Sequence, residues 1–231
     1  MSKSVFVQRL DIVQAEIWQK LLKPKGFKKR GRTFNRETPD GLIQVISLNI
    51  GMAYRGDNDL FCVSIGIRVP ESFEKTFDEP EKKSFYQEYY CNIRTTLNDG
   101  TLGHARYETK TIPPRYYGTK VFMLDIEDMQ PNIDEIIETI ESHVFPFFDN
   151  MDTREKVLKN RRMYNAKYKD LEMCNTITLE EAMIYGRAGD IEKATQLMQQ
   201  HYNNSQHHKP HQGYVFELSK KLGITLDVKT I

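Results

Sequence analysis

A chain of 231 residues with 33 Lys and Arg against 32 Asp and Glu has a formal net charge of +1, so no global charge excess directs it to nucleic acid or an anionic membrane surface. Its 39% hydrophobic and 28% charged residues describe a folded, soluble chain, long enough for one large domain or a domain with an appendage. Three cysteines, Cys62, Cys91 and Cys174, are odd in number and far apart, which excludes a disulfide framework and a four-thiolate zinc site.

The first predicted element is a helix, with Phe6, Leu10, Val13, Ile17 and Leu21 on one face. Arg9, Asp11 and Glu16 break the apolar core a secretory signal needs. Pro24 and Gly26 end this helix. Thr33 to Glu37 and Leu42 to Ile50 then read as antiparallel strands around Thr38-Pro39-Asp40-Gly41. The longest uncharged stretch, Gly41 to Tyr54, has 14 residues, short of the roughly 18 a membrane helix requires. With no exported or membrane segment predicted, the expected location is the cytoplasm.

Phe61, Val63, Ile65, Ile67 and Val69 alternate with Cys62, Ser64, Gly66 and Arg68, the pattern of a strand with one buried face. Glu71 to Gln87 reads as a connection. Tyr89, Cys91 and Ile93 predict a fourth strand, and Val121 to Leu124 a fifth. The segment Asn98 to Gly118, rich in Gly and Pro, gives no clear element. Pro131 opens a helix with a stripe of Ile133, Ile136, Ile137, Ile140, Val144 and Phe147, suited to covering a sheet.

Beyond residue 150 the pattern is helical. Asp152 with Glu155, and Thr178 with Glu181, mark helix starts, with Val157, Tyr164, Tyr168 and Leu171 continuing the face of the first. Gly189-Asp190 separates two short helices, and a last helix runs from Pro210 to Leu222. The stretch Ala182 to Leu197 resembles one unit of a tetratricopeptide-like array. The expected organisation is an α+β body over residues 1–150 and a helical extension over 151–231. In the body, an antiparallel sheet of about five strands is covered on one face by two helices.

The most distinctive run is LKPKGFKKRGRTFNR, Leu22 to Arg36, which holds Lys23, Lys25, Lys28, Lys29, Arg30, Arg32 and Arg36 and no acid. With the later pieces GLIQVISLNIG, VSIGIRVP, YYCNIRTTL and FPFFD, it resembles a bacterial domain-of-unknown-function family, family 4304, over about residues 5 to 150. The resemblance implies a compact α+β fold and brings no activity, cofactor or catalytic residue with it.

Physically the basic run has three readings. It can protect a solvated strand edge, meet an acidic surface or phosphates, or pair internally with the seven acids between Asp125 and Glu141. Phe27 and Phe34 interleave with the cations as in single-strand binders, but no basic excess or recognition motif supports nucleic acid. His201, His207, His208 and His211 have metal-ligand chemistry, yet Pro210 and the polar residues 203–206 point to a solvated loop. No phosphate loop, nucleophile elbow or zincin motif occurs. A thiol site assembled from Cys91 and His104 or His143 competes with Cys91 as a small core residue, and Asp57 with Asp59 sits in a polar loop.

No catalytic residue, metal or cofactor is therefore expected. The reading favoured by the sequence is a binding module for an acidic protein partner, using Lys28, Arg30, Arg32, Arg36, Arg68 and Arg94 on an open polar sheet face that also carries Ser64 and Asn92. An immunity protein that covers a charged site on a toxin has these needs. The competing readings are a phosphate- or nucleotide-binding protein or enzyme using the same cations, and a scaffold that binds through the helical tail.

Overall fold

The computed structural model describes residues 4–50, 60–71, 84–97, 121–123, 128–166, 174–205 and 207–227. Helix α1, Val5–Ile17, starts at Ser4, whose hydroxyl accepts from the Val7 amide at 3.3 Å, and buries Leu10, Val13 and Ile17. The helix widens into a π turn over Trp18–Leu22, where the Lys23 amide reaches the Trp18 carbonyl at 2.9 Å. Gly26, at φ 81, then reverses the chain as a left-handed residue must.

The sheet is antiparallel throughout. Strands β1 (Lys28–Arg30), β2 (Thr33–Glu37), β3 (Ile43–Ile50), β4 (Leu60–Arg68) and β5 (Ile93–Thr96) lie in chain order. The sixth, β6 (Val121–Met123), shares an edge of β4 with β5: it pairs with Leu60–Cys62, whereas β5 pairs with Ser64–Ile67. The sheet is thus at most five strands wide at any level, and three (β3, β4 and β6) where β6 pairs. Between β2 and β3 the predicted turn is present, with Gly41 at φ 79 and its amide bonded to the Thr38 carbonyl at 2.8 Å.

Register assigns the faces. Phe34, Ile46 and Ile65 share one side, as do Arg36, Gln44 and Ile67. This side is covered by α1 and by the run α2 (Gln130–Thr139), a π turn (Ile140–Val144) and α3 (Phe145–Asp149). The widened turn stands just before Pro146, which has no N–H to donate and whose ring would meet a carbonyl of a regular helix. Trp18 stacks on Phe34 at 6.0 Å, Phe27 lies 6.1 Å from Phe148, and the Gln44 amide donates to the Phe148 carbonyl at 3.3 Å. The buried Gln14 side chain donates to the Gly31 carbonyl, tying α1 to the β1–β2 turn.

Three sequence expectations change. The fourth strand is Ile93–Thr96 only, because Glu88–Tyr90 forms a 3₁₀ turn before it. Strand β1 was not foreseen as an element. The face of Ser64 and Arg68 is not open, as described below. Residues 98–118, Leu124, His104, Asp57 and Asp59 lie outside the described residues.

The chain divides into two units, residues 1–68 with 83–153 and residues 69–82 with 154–231. The second contains α4 (Arg154–Ala166), α5 (Cys174–Arg187), α6 (Ile191–Asn204) and α7 (Lys209–Lys221). Helix α5 begins four residues before the expected Thr178 start. The side chain of Tyr164, and Tyr168 and Leu171 altogether, are outside the described residues. Gly189, at φ 85, and Asp190, which accepts from the Lys193 amide at 3.0 Å, make the turn between α5 and α6. Ala182, Met183, Ala194, Met198, Val215 and Leu218 form the core of this unit. Arg154 grips Glu71 with two nitrogens, at 2.6 and 2.8 Å, with the side chains 17% and 6% exposed.

Candidate functional site

The basic run folds into the β1–β2 hairpin at one edge of the sheet. Lys28↔Asn35, Lys29↔Phe34 and Arg30↔Thr33 pair across it, and Gly31, at φ 58, makes the turn. Lys28, Lys29, Arg30 and Arg32 are all exposed. Among the described residues, none of their side chains has a hydrogen bond or ion pair. The acids weighed as internal counter-ions make no ion pair with these four: Asp134, Glu138 and Glu141 stand exposed on the α2 run, and Asp125 and Glu127 lie outside the described residues.

Arg36 differs from its neighbours. Its Nε donates to Gln44 Oε1 at 2.8 Å and its Nη1 to the Lys25 carbonyl at 3.2 Å. The guanidinium lies 4.8 Å from the Phe27 ring centre and 5.9 Å from that of Phe145. Partial burial lowers its pKa, against the opposing pull of Asp149 and Asp152. Arg36 is part of the sheet-to-helix packing, with two of its five N–H donors committed internally.

Arg68 corrects the sequence reading outright. It is 1% exposed, donates to the Tyr90 carbonyl at 3.1 Å and lies 4.3 Å from the Tyr86 ring centre. Its face of the sheet is closed by residues 84–91. Asn35 donates to the Tyr86 carbonyl at 2.8 Å and accepts from the Tyr86 amide at 2.6 Å. Thr33 donates to Gln87 Oε1 at 2.6 Å, and Asn49 to Glu88 Oε1 at 3.2 Å. Cys91 fills the space over Gly66, where an added Cβ would come within 2.6 Å of the Cys91 Cβ. The sequence signal was the kind of polar residue: Thr33, Asn35, Ser47, Asn49 and Ser64 are short, uncharged hydrogen-bonding groups, which a covering backbone can satisfy.

Arg94 is exposed, but on β5. The row Lys28, Asn35, Val45, Gly66, Arg94 crosses the whole sheet, so four strand spacings of about 4.8 Å put Arg94 roughly 19 Å from Lys28. Of the six residues expected to act together, Lys28, Arg30 and Arg32 form one patch, with Lys29 beside them.

Neither described thiol is poised for chemistry. Burial raises Cys91 well above the ordinary thiol range and pushes Cys62 up to about 11. The histidines are partly reorganised relative to the expected loop. His201 is buried in the last turn of α6, with its Nε2 2.9 Å from His211 Nε2 in the first turn of α7, while His207 and His208 are exposed. Pro210 lies in the first turn of α7, one residue after its start at Lys209, where the last helix was expected to begin. Among the described residues, no group of three or more His, Cys, Asp or Glu could hold a metal ion. None of their helices is long and apolar enough to cross a membrane.

A family model described as Domain of unknown function (DUF4304) matches residues 18–150, more than half of the chain. The chain belongs to the DUF4304 family. The DUF4304 match begins at Trp18, in the π turn that stacks on Phe34, and takes in the basic hairpin, the described strands and the covering run α2–α3. The helices α4 to α7 lie beyond it. No curated protein and no solved structure matches the chain.

Proposed function

We propose that this DUF4304 protein is a noncatalytic, cytoplasmic binding module that takes an acidic protein partner on its β1–β2 hairpin, in the manner of an immunity-type protein. The observation that carries the reading is the run Lys28, Lys29, Arg30 and Arg32: four exposed cations with no counter-ion among the described residues. Edge protection against other strands accounts for charges on β1 itself. It does not call for Arg32, which is exposed in the turn between β1 and β2. Exposed cations of this kind speed encounter with an acidic surface and fix its orientation, since their charge is not spent within the fold.

The test compares partner capture by the wild-type chain and by the variant Lys28→Glu/Arg30→Glu/Arg32→Glu, followed by the salt dependence of association. The expected result is loss of the partner from the variant and a wild-type association rate that falls as ionic strength rises. Equal capture by both proteins overturns the reading. A rise of several degrees in melting temperature with nucleotides or sugar phosphates would assign the hairpin to phosphate instead.

A further inference from the structure

Helices α6 and α7 meet through two imidazoles. His201, 2% exposed, presents Nε2 to His211 Nε2 at 2.9 Å, and the ring centres are 5.2 Å apart in an edge-on arrangement. A nitrogen-to-nitrogen hydrogen bond needs one N–H donor and one bare acceptor. The contact therefore exists when at least one ring is neutral and is impossible when both are cations.

Among the described residues, no charged side chain pairs with either ring to relieve a second charge. On α7, Tyr214 lies 5.9 Å from the His211 ring, and His208 caps the helix by accepting from the His211 amide through Nδ1 at 3.1 Å. On the α6 side, Ser205 Oγ donates to the His201 carbonyl at 2.8 Å. Among the described residues no Asp, Glu, Lys or Arg bonds to either ring. We propose that the His201–His211 contact is a proton-operated latch, which holds α7 on α6 at neutral pH and releases it in mild acid.

Burial, and secondarily the proximity of His211, push His201 down to about 4. An undocked His201 has the ordinary value near 6.5. Between those limits the undocked state binds the extra proton, so docking weakens as pH falls from about 6.5 toward about 4 and is unaffected above that window. Opening uncovers Val215 and Leu218, the buried face of α7.

The experiment is an NMR titration of the full chain with labelled histidine rings and Val and Leu methyls, from pH 7.5 to 4. His201 should titrate well below the ordinary histidine value of about 6.5. The Val215 and Leu218 methyls should report an opening whose equilibrium constant rises up to about tenfold per pH unit. In His211→Gln the amide can still donate to His201 without supplying a second cation, and the opening should move at least half a pH unit lower, roughly a threefold change at fixed pH by the same scale. An ordinary His201 titration with unmoved methyls overturns the proposal, as does the same opening pH in both proteins. If the variant does not fold, the wild-type titration decides alone.

Discussion

The Arg68 guanidinium lies 4.3 Å from the centre of the Tyr86 ring and donates to the Tyr90 carbonyl at 3.1 Å, so a buried cation fastens residues 84–91 to the sheet. Its shape and charge are both used there. Arg68→Met fills much of the volume but leaves the Tyr90 carbonyl without that donor and removes the cation–π contact. It should cost about 2–4 kcal/mol, read as a lower urea midpoint for the first unit followed by Trp18 fluorescence. An unchanged midpoint would show that the contact contributes nothing.

Gly66 has no side chain because Cys91 occupies the place of one. A Cβ on Gly66 would stand 2.6 Å from the Cys91 Cβ and 2.7 Å from its Sγ, inside any tolerable contact. Gly66→Ala should therefore destabilise by about 1–3 kcal/mol. In Gly66→Ala/Cys91→Gly the clashing atoms are gone, and the double variant should be more stable than the sum of the single effects by more than about 0.5 kcal/mol. Strict additivity in the denaturation midpoints would contradict the packing.

Much of this fold was legible from periodicity. The alternation through Phe61 to Ile67 identified β4 and its helix-covered face, and the stripe through Ile133, Ile136 and Ile140 identified the run that covers it. The opposite face was misread, because alternation separates two faces without saying what covers the second. Its cover comes from about 50 positions away, through bonds such as Asn35 to Tyr86, and leaves no local pattern. Arg68 was placed on the wet face by its alternating strand position, although a planar guanidinium can be buried between a ring and a carbonyl. Strand β1 escaped notice since three cations carry no apolar alternation. The hairpin patch was legible as composition; the separation of Arg94 from it depends on strand order, which composition does not contain.

Both described thiols, Cys62 and Cys91, are held protonated by burial, Cys62 with a value of about 11. At pH 8 the thiolate of Cys62 is then about one part in a thousand. Peptide-level mass spectrometry after iodoacetamide should find Cys62 and Cys91 unmodified in the native chain and both modified in urea. Rapid native labelling of Cys91 would contradict its burial against Gly66.

The hairpin cations and Arg36 should separate by what their replacement does to stability. The side chains of Lys28, Arg30 and Arg32 make no hydrogen bond or ion pair among the described residues, so their change to Glu should shift the unfolding free energy by no more than about 0.5 kcal/mol each. Arg36→Glu removes the bonds to Gln44 and the Lys25 carbonyl, strips the cover from Phe27 and turns an attractive charge near Asp149 and Asp152 into a repulsive one. It should cost about 2 kcal/mol or more. Lost binding in Arg36→Glu would then report a damaged body, whereas lost binding in Lys28→Glu/Arg30→Glu/Arg32→Glu with an intact melting curve reports the surface. Comparable destabilisation of the two proteins in thermal unfolding would show that the hairpin cations serve the fold, and would remove them from any docking role.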